Sequence, residues 1–167
     1  MKKINLVLLS LAVIVNASCQ ERKSFSALED QNKGLVKSYF SELGKTKPDD
    51  LAVFVEKYVS PDIVLHLPRE EVKGRDGLEN HYSSSMKTFP NFEQPIYDII
   101  VSENKVAFRG EFIANQANGI VIKTTFTGFW KIQNGKITEW WSEYDALGML
   151  QQLGMELQMK ESNLEAH

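Results

Sequence analysis

Apolar positions along the chain change their rhythm about half-way. In the first half they recur three and four residues apart. Leu35, Val36, Tyr39, Phe40 and Leu43 do so first, which predicts an amphipathic helix over Gln31–Leu43, ended by Gly44. Pro48 followed by Asp49 and Asp50 suits the first turn of a second helix: proline tolerates that position, and acids favour the positive end of the helix dipole. Leu51, Phe54, Val55 and Tyr58 form its apolar face, and Ser60-Pro61-Asp62 stops it. A short β-branched run, Ile63–Leu67, predicts a strand, and a third helix follows Gly74 with Leu78, Tyr82 and Met86 inward, closed by Pro90.

Beyond Pro90 the period becomes two. Tyr97–Ser102 and Lys105–Ala114 are predicted strands joined by Glu103-Asn104, a two-residue hairpin connection. Ile120–Gln133, rich in Thr, Val, Ile and Phe, is a long strand. Asn134-Gly135 is the strongest hairpin signal in the chain and turns it into Lys136–Tyr144. A short helix, Ala146–Leu153, ends the domain before a polar tail over 155–167. Helices followed by antiparallel hairpins predict an α+β fold. A strongly bent antiparallel sheet wrapped around the N-terminal helices leaves a cavity at its mouth, where pockets commonly form.

The 167 residues suffice for one domain with a real core, and the composition, 43% hydrophobic and 25% charged, is that of a globular protein. The N-terminus departs from it. Lys2 and Lys3 precede the apolar run Ile4–Val15, then small residues and the single cysteine, Cys19. About a dozen residues is short of the roughly 20 that a spanning helix needs, so 1–18 is expected to be a signal peptide. "NAS" before Cys19 resembles a bacterial lipobox, which implies lipidation of Cys19 and a lipid-anchored place in the bacterial cell envelope. Simple secretion, with Cys19 an incidental thiol, is the alternative. Residues 19–30 are polar and patternless and are expected to form a tether. Removing 1–18 takes away two lysines and no acid, making the chain more negative than its overall −3. With no basic cluster left, nucleic acid is not an expected partner.

Candidate chemistry concentrates on the last strand. Its side chains alternate faces, with Glu139, Trp141, Glu143 and Asp145 on one and Trp140, Ser142 and Tyr144 on the other. Both faces carry aromatics, so periodicity leaves open which one looks inward. An acid-bearing face is either a solvated rim or part of a pocket wall. In a pocket, desolvation raises a carboxyl's pKa and fits it for proton exchange near neutral pH.

Four stretches carry a resemblance: "NKGLVKSYFSEL", "VSPDIVLHLP", "GRDGLENHYSSSMKTFPNF" and, most specifically, "NGKITEWWSEYDALGMLQQLG". Over about residues 31–154 the chain resembles the SnoaL-like polyketide cyclases of the nuclear transport factor 2-like superfamily. The resemblance implies a cone-shaped α+β barrel with a deep apolar pocket for a small hydrophobic molecule, often a homodimer through its sheet, and cofactor-free ring closure or isomerisation. It implies Asp145 as the acid/base, His66 as its polar helper and Trp141 as apolar wall, with Glu143, Arg109 and Tyr82 as further binding candidates. A satisfied structural histidine is the plain alternative for His66, and His81 is expected at the surface or rim. Trp140 stands where the family usually has a histidine, and the loop Asn115–Gly119 is shorter than the family's insertion there. Arg109 is also a candidate for a water-activating Asp-Arg set with Asp145, as in a related epoxide hydrolase family. The alternative is a cross-strand ion pair on an exposed face.

His66, His81 and His167 have no ligand spacing, so no metal is expected; no glycine-rich phosphate loop occurs, and Ser83-Ser84-Ser85 lacks a nucleophile-elbow context. The rivals to an enzyme are a non-catalytic binder of a hydrophobic ligand and an interaction module working through its sheet.

Overall fold

The computed structural model of the chain describes residues 26–116 and 119–156. The expected signal peptide, Cys19, the first part of the tether and residues 157–167 lie outside them. Among the described residues no helix is long and apolar enough to cross a membrane.

Helix α1 occupies residues 26–43. Its buried stripe holds the expected Val36, Tyr39, Phe40 and Leu43 and begins one turn earlier, at Asn32, with Leu35 only partly buried. The helix itself begins earlier, so residues 26–30 are helical and not tether. A helix propagates one hydrogen bond per residue past its packed face, and no apolar stripe marks that extension. Asn32 Nδ2 donates to the Glu103 carbonyl at 2.8 Å and ties α1 to a distant hairpin turn. A 3-10 turn, Pro48–Asp50, leads into α2, Leu51–Tyr58, which buries the four expected residues. The strand β1 then runs over Val59–His66, longer than expected. Pro61 fits because the pairing of β1 with the last strand is irregular between Val59 and Val64, where a missing N–H costs no ladder bond. A short strand β2, Glu71–Lys73, and a helix α3, Gly74–Thr88, follow; α3 buries Leu78, Tyr82 and Met86 as expected.

The remaining strands are β3 (Asn91–Glu93), β4 (Ile96–Ser102), β5 (Lys105–Asn115), β6 (Val121–Gln133) and β7 (Lys136–Tyr144), with α4, Ala146–Gln152, after them. The Asn134-Gly135 turn has φ of 51° and 72°, the two positive values that a tight hairpin of this hand demands. The strands form one strongly curved, open seven-stranded sheet, ordered β2-β1-β7-β6-β5-β3 with β4 also on β5. It is an α+β fold, with four helices among the described residues. One pairing, β1 with β7, is parallel, which the hairpin pattern did not foretell.

The core lies between the concave face and the helices. Ile122, Thr124, Phe126, Trp130 and Ile132 point inward from β6. Gly128 completes this row because the Phe108 ring folds over it: a Cβ there would run into Phe108 Cζ. Trp130, fully buried, packs against Tyr39, Phe108 and Trp140 at ring distances of 4.8–5.6 Å.

The decisive irregularity is in β7. Ile137 pairs with Ile132, but Glu139 pairs with Lys131, so β7 takes two steps where β6 takes one. Thr138 is the extra residue, and its hydroxyl donates to the Lys131 carbonyl at 3.2 Å. Such a bulge shifts the alternation by one. Ile137 points inward, and so do Trp140 and Ser142, with Tyr144 in the same phase. Without the bulge, Glu139, Trp141 and Glu143 would share Ile137's face.

Candidate functional site

Between α3 and the concave face lies a pocket of about 440 Å³. Leu65 of β1, Phe112 of β5, Phe126 of β6 and Trp140 of β7 supply apolar wall from the sheet, and Leu43, Phe89, Phe92 and Met149 supply it from α1, the segment after α3, and α4. Hydroxyls of Ser85, Thr124, Ser142 and Tyr144 and the amide of Gln94 are interspersed. Charged residues enter at one place, where the β1–β2 turn brings Arg69 and Glu70 beside His81 and Tyr82 of α3.

His81 was expected at the surface or rim. It is partly exposed yet forms pocket wall, three residues after the buried Leu78 and beside Tyr82. Burial lowers its pKa below the ordinary histidine value, although Glu70, 3.7 Å from Nδ1, pulls the other way. Burial thus favours the neutral imidazole. Tyr82 is the one sequence-derived binding candidate that lines the pocket, and its hydroxyl shares a hydrogen bond with that of Tyr39. Burial raises both phenols well above their usual value, so both are neutral donors.

The other candidates lie elsewhere. Asp145 is exposed and caps α4: Oδ1 accepts from the Gly148 N–H at 2.8 Å, and its carbonyl accepts from the Met149 N–H and the Thr124 hydroxyl. It does not line the pocket. The desolvated acid inferred from the resemblance is thus a solvated helix cap, because the bulge at Thr138 turns its face of β7 outward.

His66 and Trp141 sit together on the convex face, stacked at 4.9 Å with 13° between their planes. His66 Nδ1 lies 3.0 Å from Glu71 Oε1 and Nε2 3.3 Å from Glu139 Oε1; it is a satisfied structural histidine, not a pocket group. Glu139 also binds Lys131 Nζ at 2.6 Å, and chiefly that lysine, with His66 helping, holds its carboxyl below the usual range. Glu143, exposed and paired across the strands with Thr127, is likewise outside the pocket. Arg109 makes the cross-strand ion pair, Nη2 to Asp98 Oδ2 at 2.7 Å on the exposed face, and does not meet Asp145. Cys19 lies outside the described residues.

Helical geometry held a signal for His81. Leu78, Tyr82 and Met86 are spaced by four, and His81 and Ser85 fall at the i+3 and i+7 positions that widen such a stripe. No group of three His, Cys, Asp or Glu side chains among the described residues is arranged to hold a metal ion.

Residues 49–153 match the family model described as SnoaL-like polyketide cyclase. The chain belongs to the SnoaL-like family. Solved structures agree in fold. A candidate SnoaL-like polyketide cyclase of Jannaschia sp. CCS1 superposes with a TM-score of 0.69 at 16% identity, covering 78% of this chain and 96% of that one. IdmH of Streptomyces antibioticus, a candidate polyketide cyclase, gives 0.60 at 23%, covering 75% and 97%. A de novo designed protein with a curved β-sheet gives 0.55 at 22%, covering 75% and 93%. No curated protein matches the chain.

Proposed function

We propose that this SnoaL-like protein is a cofactor-free cyclase or isomerase for a small hydrophobic carbonyl compound, with His81 as its acid/base. The observation that carries the reading is a neutral histidine beside a buried phenol donor in the one charged corner of an apolar pocket. His81 takes a proton from the carbon next to a carbonyl. The C–H electron pair moves to the carbonyl oxygen, and the Tyr82 hydroxyl donates to that oxygen as charge builds. In a ring closure the enolate carbon attacks a second carbonyl of the same molecule, forming a C–C bond, and the His81 imidazolium returns its proton to the new alkoxide. In an isomerisation the proton returns to a different carbon.

The test is α-hydrogen exchange of 2-tetralone in D₂O, followed by proton NMR. Wild-type protein is expected to accelerate exchange, and His81→Asn to lower the rate by about 10²–10⁴-fold, the usual weight of a positioned base. His66→Asn and Asp145→Asn are expected to leave it unchanged. Since burial lowers the His81 pKa, the rate should climb with pH below about 6.5, the ordinary histidine value, and be flat above it. Equal rates in wild type and His81→Asn would sink the assignment.

A second reading, a non-catalytic binder, draws on the observation that the carboxylate expected to act, Asp145, caps a helix outside the pocket. Tetralone binding without accelerated exchange would establish it. We also propose lipid anchoring through Cys19 in the bacterial cell envelope, supported by the signal-like N-terminus, and a homodimer through the convex face. Support for the dimer is a register row, Ile100, Ala107, Phe129, Trp141 and His66, that lays an apolar and aromatic stripe across five strands.

A further inference from the structure

The pocket's charges are unequal in their engagement. Each described arginine other than Arg69 is tied down. Arg75 donates to the Val59 carbonyl at 2.9 and 3.2 Å, and Arg109 is paired with Asp98. Arg69 sits at the tip of the β1–β2 turn, closed by the Leu67 N–H donating to the Glu70 carbonyl at 2.9 Å. It contributes to the pocket wall and has no hydrogen-bond or ion-pair partner among the described residues. Neighbouring Glu70 faces His81 instead. The remaining polar groups of the wall are hydroxyls, an amide and an imidazole, so among the described residues Arg69 is the one full positive charge there.

A guanidinium presents five donors in a planar fork that matches a carboxylate two bonds at a time. At the rim of a low-dielectric cavity its field is less screened than on an open surface. The body that such a ligand must bury is set by Phe89, Phe92, Phe112 and Phe126, whose faces favour a flat or conjugated skeleton.

We infer that the pocket selects a flat apolar molecule bearing a carboxylate, held at the mouth by Arg69 with its carbon skeleton against the phenylalanines. This inference rests on the pocket being the ligand site. It makes Arg69 a specificity residue and leaves proton transfer to His81.

The test compares two probes of one shape, 2-naphthoate and neutral 2-naphthamide, at pH 8, where His81 is uncharged. Binding is followed by quenching of tryptophan fluorescence, since Trp140 lines the pocket. Wild-type protein is expected to prefer naphthoate by about tenfold or more, in keeping with a charge-assisted bidentate contact. Arg69→Gln should abolish that preference and leave the naphthamide affinity within about twofold, because an exposed turn residue with no partner carries little of the fold. Glu70→Gln should strengthen naphthoate binding by removing a like charge. The preference should also shrink as salt rises. Equal affinity for both probes in wild type, or a preference that survives in Arg69→Gln, overturns the inference while leaving the pocket intact. Failure of both probes to bind, with tetralone failing too, overturns the pocket reading and this inference together.

Discussion

Two faces of one strand, each with a tryptophan, have opposite fates in this molecule. On the convex side of β7 stand Glu139, Trp141 and Glu143; on the concave side stand Trp140, Ser142 and Tyr144. Both carry a tryptophan and groups able to move protons. Outside, counter-charges engage Glu139 and His66. Glu139 is held ionised by Lys131, with His66 a second partner, and Trp141 is sandwiched between the His66 ring and the Lys131 ammonium, 4.9 Å from each. Inside, Trp140 is 6% exposed and helps to remove water from around His81 and Tyr82. The same contrast separates the two described histidines. His66 has a carboxylate on each ring nitrogen, whereas His81 has one distant carboxylate and a buried environment. Desolvation of the second kind is a common way for a functional site to tune a side chain's protonation.

The strongest way to break this comparison is to remove Thr138. A regular register would bring Glu139, Trp141 and Glu143 onto the core side and push Trp140 and Ser142 out. Burying unpaired carboxylates costs several kcal/mol each, enough to exhaust a domain's stability of about 5–15 kcal/mol. The shortened chain is expected not to fold; a cooperative urea transition with normal circular dichroism would show that the bulge does not set the phase.

A gentler contrast substitutes the two adjacent tryptophans. Trp140→Ala should cost about 3–5 kcal/mol in urea unfolding, the range for emptying a large aromatic site in a packed core. Trp141→Ala should cost about 1 kcal/mol, since it loses a surface stack and a cation–π contact in water. Equal losses would mean that the faces differ less than their burial says.

The smallest effect sharpens the account of Asp145. As a cap, its replacement by alanine should cost about 1 kcal/mol. The loss should appear as faster amide hydrogen exchange confined to α4, with no change in tetralone exchange. A collapse of exchange activity at unchanged stability would restore Asp145 to a chemical role.

Much of the fold was legible in the chain. The spacing of Leu51, Phe54, Val55 and Tyr58, and of Leu78, Tyr82 and Met86, identified helices whose inward faces the structure shares. The Asn134-Gly135 turn fixed the last hairpin almost to the residue. The short strands β2 and β3 were not legible, because three residues hold too little pattern to stand out. Of the candidate residues, Tyr82 lines the pocket, and Asp145, His66, Trp141, Glu143 and Arg109 lie outside it.

Local chemistry explains what the sequence could determine: turn residues, helix stripes and strand alternation each depend on neighbours a few positions apart, and together they established an α+β chain, while the resemblance to the SnoaL-like family implied the curved sheet and its pocket. What it could not determine was phase. Alternation says which side chains share a face of β7, while the face that looks inward depends on one extra residue absorbed at Thr138 opposite the Lys131–Ile132 step. That residue is accommodated by pairing between strands, and no period of two within β7 records it. The setting of His81 was decided in the same way, by the packing of α3 over the concave face and the approach of the β1–β2 turn. Burial belongs to that assembly of distant segments, and the chemistry available to a histidine follows from burial.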